Sequence, residues 1–223
     1  NIEVYRGEIL GIAGLMGAGR TEFAMSLFGC LTPTNDSELV VKGESIKIKN
    51  PRQAIESGIG YVSEDRKRYG LVLRQNIKKN MSLASMDSMA RFGAINKNLE
   101  ITTAQQYVND LRIKARNIDQ TAETLSGGNQ QKVILSKWIL TKPDILILDE
   151  PTRGIDVGAK FEIYQIMNKL AKQGVAIIMI SSALPEILGM SNRIYVMHEG
   201  KINGEFSHDE ATQVKILACA AGG

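Results

Sequence analysis

Gly14-Leu15-Met16-Gly17-Ala18-Gly19-Arg20-Thr21 stands between an apolar run, residues 9–13, and a segment with helical character, residues 21–28. The glycines let backbone N–H groups point inward around an anion, beside a helix N-terminus that carries partial positive charge. This is the P-loop pattern with arginine where lysine is usual. It predicts that the loop holds nucleotide phosphates through Gly14, Gly17, Ala18, Gly19, Arg20 and Thr21. The Thr21 hydroxyl would also bind Mg²⁺, while a glycine-rich turn without any ligand remains the alternative.

Short apolar runs recur along the chain on the C-terminal side of this turn. Together with residues 9–13, the runs at residues 59–62, 145–148, 175–180 and 194–197 predict strands. Three of these runs show little polar alternation, as expected for strands that are covered on both faces. Helical patterns lie between them, at residues 128–140 and 157–170. Strands that alternate with helices predict an α/β fold with a mainly parallel sheet.

Two segments depart from this alternation. Residues 67–124 are rich in Met, Asn, Lys and Gln and have helical periodicity. We therefore expect a helical insert there, within an α/β core made of residues 1–66 and 125–223. Residues 39–48 predict a small antiparallel ribbon around Lys42-Gly43.

Composition places the chain among globular proteins. It has 223 residues, 43% of them hydrophobic and 23% charged, which excludes a disordered tail and a disulfide scaffold. The longest strictly apolar run, residues 175–180, is far shorter than the ~20 residues that span a bilayer. The net charge of +3 is too small to indicate nucleic-acid binding by the chain as a whole.

Basic side chains are concentrated in residues 66–79, a stretch without any acidic residue. A solvated loop and a docking surface for a protein partner are both compatible with this pattern. Tyr69 is the single aromatic residue among these charges, so the stretch does not have the composition of a nucleic-acid site.

Two carboxylates, Asp149 and Glu150, follow the apolar residues 145–148 directly. In P-loop enzymes the first carboxylate of such a pair holds Mg²⁺ and the second polarises the attacking water as a general base. The alternative is a strand that ends in two solvated acids.

A third motif, Leu125-Ser126-Gly127-Gly128-Asn129-Gln130-Gln131-Lys132, opens the helix predicted at residues 128–140. Ser126 can cap this helix, whose first turn is nearly free of side chains and keeps its N–H groups open to an anion. The alternative is a serine–glycine cap without a ligand.

Together these motifs resemble the nucleotide-binding domain of ABC transporters, and the resemblance covers the whole chain. Residues 125–132 are similar to the family's signature motif, Asp149 and Glu150 to its Walker B pair, and Gly154-Ile155-Asp156 to its D-loop. Glu64 stands where most members carry the Q-loop glutamine, and Ser182 where most carry the switch histidine. The resemblance implies ATP and Mg²⁺ as cofactors. It also implies that Ser126, Gly127 and Gly128 complete a nucleotide site on a facing domain, and that Asp156 is a further cofactor-binding residue.

A subfamily likeness is added by residues 150–160, 197–200, 204–206 and 211–213. They resemble the second, C-terminal ATPase domain of bacterial monosaccharide importers, most of all ribose importers. We therefore expect the chain to be part of a longer protein with an N-terminal sister ATPase domain. The resemblance further implies a sugar permease, an indirect partner in the periplasmic or extracellular sugar-binding protein, no nucleic acid, and a peripheral position on the cytoplasmic face of the bacterial membrane.

The departures at Arg20 and Ser182 predict a site that binds nucleotide but hydrolyses it weakly. Arginine keeps the positive charge but presents a planar fork instead of a compact ammonium group. Serine cannot donate to the transferred phosphoryl group as a cation, and a missing donor of this kind costs ~3 kcal/mol. Glu150, Ser182 and Glu64 are the predicted catalytic residues. A regulatory nucleotide-binding module and a non-transport ABC ATPase remain the alternatives.

Overall fold

A computed structural model describes residues 1–32, 37–91 and 93–223, and of Arg91 only the backbone. Phe92, which falls within the predicted insert, lies outside the described residues. The strands are β1 (Ile9–Gly14), β2 (Leu39–Val41), β3 (Glu44–Ile46), β4 (Ile59–Val62), β5 (Ala90–Arg91), β6 (Ala94–Ile95), β7 (Ile145–Asp149), β8 (Ala176–Ile180), β9 (Arg193–His198) and β10 (Lys201–Ser207). The α-helices are α1 (Arg20–Leu27), α2 (Pro51–Glu56), α3 (Ile77–Ser82), α4 (Met86–Met89), α5 (Lys97–Asp110), α6 (Gly127–Ile139), α7 (Val157–Lys172), α8 (Leu184–Met190) and α9 (Gln213–Ala220).

The main sheet of the described part of the chain has the strand order β10-β9-β1-β8-β7-β4. All neighbours pair in parallel except β9 and β10, which are antiparallel. Every residue of β4 and β8 is buried, so helices cover both faces of these strands. The α/β fold with a mainly parallel sheet is therefore confirmed, and each of the five predicted strands is present.

Strand β10 was not predicted, and its burial pattern explains why. Its residues alternate between exposed and half-buried along the whole strand, because it forms one edge of the sheet. Short apolar runs are typical of central strands, and an edge strand with a polar face does not contain one. The predicted antiparallel ribbon at residues 39–48 is present as β2 and β3.

The segment predicted as a helical insert contains α3, α4 and α5, with a π-helical turn at Arg66–Gly70 and a 3₁₀ turn at Ala122–Thr124. It also contains a short antiparallel ribbon, β5–β6, which the sequence pattern did not predict. Ile77 and Met81 of α3 belong to the same hydrophobic core as the main sheet. The division into an insert and a two-part core stays a prediction.

Helices α6 and α7 carry two of the motifs at their N-termini. Helix α6 is buried along most of its length, and its Trp138 packs edge-on against Phe28 with 5.3 Å between ring centroids. Helix α7 buries one stripe that includes Ile163, Met167 and Leu170, the spacing that the sequence predicted. Within the described residues no helix combines the length and the apolar character needed to cross a membrane.

Candidate active site

The P-loop joins the end of β1 to the start of α1. Gly19 is the N-cap of α1 in the left-handed conformation, with φ +89°, and no side chain caps the helix. The first backbone N–H groups of α1 are therefore open to an anion. A Cβ at Gly14 would lie 2.6 Å from the Met197 carbonyl oxygen of β9, so only glycine allows the loop to lie this close to the strand.

Asp149 is fully buried at the end of β7. Its Oδ2 accepts a hydrogen bond from the Tyr61 hydroxyl at 3.2 Å, whereas Oδ1 has no hydrogen-bond partner among the described residues. Burial raises the pKa of this carboxyl group, and the neighbouring Thr21 and Tyr61 hydroxyls partly oppose the rise. A buried, unpartnered carboxylate oxygen beside a threonine hydroxyl fits a hard divalent cation such as Mg²⁺, which prefers oxygen ligands. The structure thus brings the two predicted metal ligands together.

Glu150 projects from a strained turn directly after β7. Its φ is +49°, a conformation that costs a non-glycine residue of order 1–3 kcal/mol. Its backbone N–H donates to the Ile180 carbonyl at 2.9 Å, and its Oε1 accepts from the Ser182 backbone N–H at 2.7 Å. The predicted base therefore contacts Ser182, through the Ser182 main chain. Ser182 as a whole is exposed.

Arg20 connects the P-loop to the end of β8. Its Nη1 donates to the Ser181 carbonyl at 2.8 Å. The positive charge of Arg20 also helps to lower the pKa of Asp149, against the larger effect of burial. A guanidinium group carries five N–H donors, so this bond leaves further donors for a phosphate.

Glu64 forms an ion pair with Arg153 in this structure. Two residues further along, Arg66 donates from Nη1 to the Arg153 carbonyl at 2.6 Å and from Nη2 to the Gly154 carbonyl at 3.1 Å. These bonds tie the end of β4 to the turn that precedes α7. Glu64 is thus held beside the D-loop turn, with Arg153 as its ionic partner.

The signature residues lie where α6 and α7 begin. Ser126 is exposed at the N-cap of α6, and its Oγ accepts from Asn129 Nδ2 at 2.8 Å. A Cβ at Gly128 would lie 2.4 Å from the Ala159 Cβ of α7, so the glycine allows the two helices to pack closely. Asp156 caps α7 by accepting from the Ala159 N–H at 2.9 Å.

Apart from Glu64, which pairs with Arg153, the predicted site residues form two groups. The P-loop, Asp149, Glu150 and Ser182 are connected through β1, β7 and β8. Ser126, Gly127, Gly128 and Asp156 form a second group at the N-termini of α6 and α7. The side chains of Ser126 and Asp156 each accept a hydrogen bond from the first turn of their own helix. This arrangement is compatible with a signature motif that serves a facing domain.

Four residues around the first group were not predicted. Tyr61 holds Asp149, and a buried Glu186 accepts from the hydroxyls of Ser181 and Thr152. Tyr61 resembles a core aromatic in its strand. An acidic residue in the first turn of α8 resembles a partner of the helix dipole. Nothing local in the sequence separates these roles from structural ones.

Residues 1–153 match the protein-family model described as ABC transporter. The chain belongs to the ABC transporter family. It is 58% identical over 218 residues to the xylose import ATP-binding protein XylG of Thermoanaerobacter pseudethanolicus, which covers 98% of this chain and 43% of that protein.

Other relatives are named for other sugars. Identity is 54% to the L-arabinose transport ATP-binding protein AraG of Geobacillus stearothermophilus, over 97% of this chain and 42% of that protein. It is 52% to the ribose import ATP-binding protein RbsA of Streptococcus agalactiae, over 99% of this chain and 44% of that protein. The likeness to monosaccharide importers is confirmed, but identity does not favour ribose over xylose or arabinose. The chain spans less than half the length of these relatives.

Solved structures show the same fold at low identity. A nucleotide-free ATP-binding cassette from an ABC transporter superposes with a TM-score of 0.82 at 20% identity, over 97% of this chain and 87% of that one. The ADP conformation of MJ1267, an ATP-binding cassette of an ABC transporter, superposes with a TM-score of 0.83 at 19% identity, over 100% of this chain and 91% of that one. The fold is that of an ABC transporter ATP-binding domain.

Proposed function

We propose that this domain binds ATP with Mg²⁺ and that its closure and slow hydrolysis drive monosaccharide uptake. The observation that carries the proposal is Asp149 Oδ1, which is buried, unpartnered and beside Thr21 of a P-loop whose helix N-terminus is open. Relatives named for the import of xylose, arabinose and ribose support the transport role.

Each predicted residue has a defined part in this function. The N–H groups of residues 14–21 and the Arg20 guanidinium bind the phosphates, and Thr21 and Asp149 hold the cation. Mg²⁺, when bound, would neutralise charge on the phosphate oxygens. Glu150 accepts the proton of the attacking water, and the Ser182 N–H keeps its carboxylate in place. Glu64, which follows β4 and pairs with Arg153 of the turn before α7, assists this site from the D-loop side.

We propose that hydrolysis at this site is slow. The exposed Ser182 offers a neutral hydroxyl where a cationic donor is usual, and one missing donor costs ~3 kcal/mol, or two to three decades in rate. Arg20 uses one of its donors on the Ser181 carbonyl. Both features favour nucleotide binding over turnover.

The proposed assembly is supported by the coverage of the relatives, since this chain matches less than half of the length of each. We propose that a sister ATPase domain precedes this one in a longer chain and that the group at Ser126 and Asp156 completes the sister's site. A sugar permease binds both domains at the cytoplasmic face of the membrane, with an extracytoplasmic sugar-binding protein as an indirect partner. The exposed basic side chains Lys67 and Arg68 belong to the surface that docks on the permease.

Calorimetric titration of the chain with ATP in the presence and absence of Mg²⁺ tests this function. We expect Mg²⁺-dependent binding in the parent and none in Gly19→Asp, because a carboxylate would occupy the place of a phosphate. Phosphate release by the full-length protein, compared with Glu150→Gln, then measures turnover. Binding without any Glu150-dependent release would support a regulatory module instead, and the absence of a co-purifying polytopic membrane protein would support a non-transport ATPase.

A further inference from the structure

A buried carboxylate, Glu186, lies in the first turn of α8 with an exposed fraction of 6%. It accepts hydrogen bonds from three hydroxyl groups. The Thr152 and Tyr164 hydroxyls donate to Oε1, the latter at 2.6 Å, and the Ser181 hydroxyl donates to Oε2. A buried carboxylate needs such partners, because an unpaired charge in the protein interior is strongly unfavourable.

The three hydroxyls come from three different elements. Thr152 lies in the turn after β7, two residues beyond Glu150, while Ser181 follows β8 directly and Tyr164 lies on α7. Glu186 therefore joins the chain segments that leave two neighbouring strands of the parallel sheet. These are the segments that carry Glu150 and Ser182.

Ser181 contacts both Glu186 and the residues around Ser182. Its Oγ donates to Glu186 and also accepts from the Ala183 N–H at 3.1 Å, so both sides of Ser182 are fixed. The Ser181 carbonyl accepts from Arg20 at 2.8 Å. Between these two fixed neighbours, the Ser182 N–H meets Glu150 Oε1 at 2.7 Å.

We propose that Glu186 is a positioning residue for hydrolysis. Through Ser181 and Thr152 it holds the segment at residues 181–183 and the turn at residues 150–152 at the separation where the Ser182 N–H binds the Glu150 carboxylate. The orientation of the general base then depends on a hydroxyl cluster beneath the site. The proposal rests on the proposed function in one respect, the role of Glu150 as a base.

Hydrogen–deuterium exchange of the full-length protein without nucleotide tests the positioning independently of activity. In Glu186→Gln the amide can accept at one terminus only, so one side of the cluster loses its acceptor. Ser181→Ala removes the hydroxyl that donates to Glu186, and so breaks the same hydrogen bond from the donor side. We expect both variants to accelerate exchange in the peptide covering residues 180–184 by about tenfold, which corresponds to one decade in the opening equilibrium.

Glu100→Gln is a matched control, because Glu100 is also a buried carboxylate that accepts from a serine, Ser82 Oγ at 2.7 Å, but it lies on α5 in the insert. Exchange at residues 180–184 is expected to be unchanged in this variant. Equal acceleration in the control, or parent-like exchange in both Glu186→Gln and Ser181→Ala, would overturn the proposal. Ser181→Ala keeps the test decisive if Glu186→Gln does not fold.

Steady-state ATP hydrolysis, with the sister P-loop disabled, provides the second measurement. We expect kcat to fall at least tenfold in Glu186→Gln and in Ser181→Ala, with KM within twofold of the parent. The double variant should lose no more than either single one, because the two residues act in series. A loss confined to KM would overturn the proposal. If the parent itself hydrolyses no ATP, the proposed function fails, while the exchange comparison still decides the role of Glu186.

Discussion

Asp149 and Glu150 are adjacent in the chain but have opposite surroundings. Asp149 is fully buried, and its pKa is raised mainly by burial, whereas Glu150 is half-buried and is held by a backbone N–H. A carboxyl group whose pKa is higher in the folded than in the unfolded state destabilises the fold once pH exceeds the unfolded pKa, near 3.9. The buried charge therefore weakens the ligand-free domain at neutral pH and is compensated when a cation binds.

We accordingly expect Asp149→Asn to raise the melting temperature of the nucleotide-free domain at pH 7. One kcal/mol corresponds to about 2–4 °C in a domain of this size. The gain should shrink as pH falls towards 4, because the raised pKa makes the native aspartate take up its proton at a higher pH than the unfolded one does. Scanning calorimetry at pH 4 and pH 7 measures both effects. With ATP and Mg²⁺ added, the parent should have the higher melting temperature, because the variant lacks the metal ligand. A variant that still melted at a higher temperature than the parent would contradict the metal assignment.

Tyr61 positions the same carboxylate. Tyr61→Phe removes the donor to Asp149 Oδ2 but keeps the ring that packs at 5.4 Å from Phe28. Loss of a partner that orients a metal ligand typically lowers metal affinity 10–100-fold. We expect the Mg²⁺ concentration needed for half-maximal ATP binding to rise by about tenfold in a calorimetric titration. The melting temperature of the ligand-free domain should fall, because the buried Asp149 carboxylate loses a hydrogen-bond donor. An unchanged Mg²⁺ requirement would show that Tyr61 has only a packing role.

At the scale of elements, the close contact between α6 and α7 explains why a glycine stands at position 128 of the signature motif. A Cβ at Gly128 would overlap the Ala159 Cβ, and overpacking of this kind costs about 1–3 kcal/mol. Gly128→Ala should therefore lower the free energy of unfolding by that amount, as measured by urea denaturation. Ala159→Gly should remove most of this penalty in the double variant. If the losses in free energy of unfolding of Gly128→Ala and Ala159→Gly simply added in the double variant, the two positions would not be coupled, and the Gly128→Ala clash would be relieved by movement elsewhere.

At the scale of the whole molecule, the two groups of site residues predict different mutant behaviour. Ser126 is exposed and its hydroxyl bonds to Asn129, so Ser126→Arg should leave ATP affinity of the 223-residue chain within about twofold of the parent. In the full-length protein the same change should abolish sugar uptake, because in the proposed assembly the arginine would occupy the place of the nucleotide bound by the sister domain. Calorimetry and an uptake assay measure the two effects. A complete loss of ATP binding by the chain would show that Ser126 serves its own P-loop.

Several features of this protein follow from sequence alone because they depend on neighbours in the chain. The run at residues 59–62 is apolar without interruption, and β4 has those bounds. The glycines of residues 14–19 require a turn between β1 and α1, and the spacing of Ile163, Met167 and Leu170 requires one buried face on α7. Local conformation and exposure pattern are encoded within a few residues, so the fold class and the position of the phosphate loop could be predicted.

The surroundings of the reacting groups depend instead on contacts between distant parts of the chain. Tyr61 reaches Asp149 across 88 positions and Thr152 reaches Glu186 across 34. The Ser182 side chain marked the switch position in the sequence, yet the structure uses its backbone N–H, a group that every residue except proline carries. Such contacts arise only when strands and helices pack, because packing sets the distances between side chains, the loss of solvent and therefore the shift in pKa. For that reason the sequence located the carboxylates, and the tertiary structure alone showed what holds them.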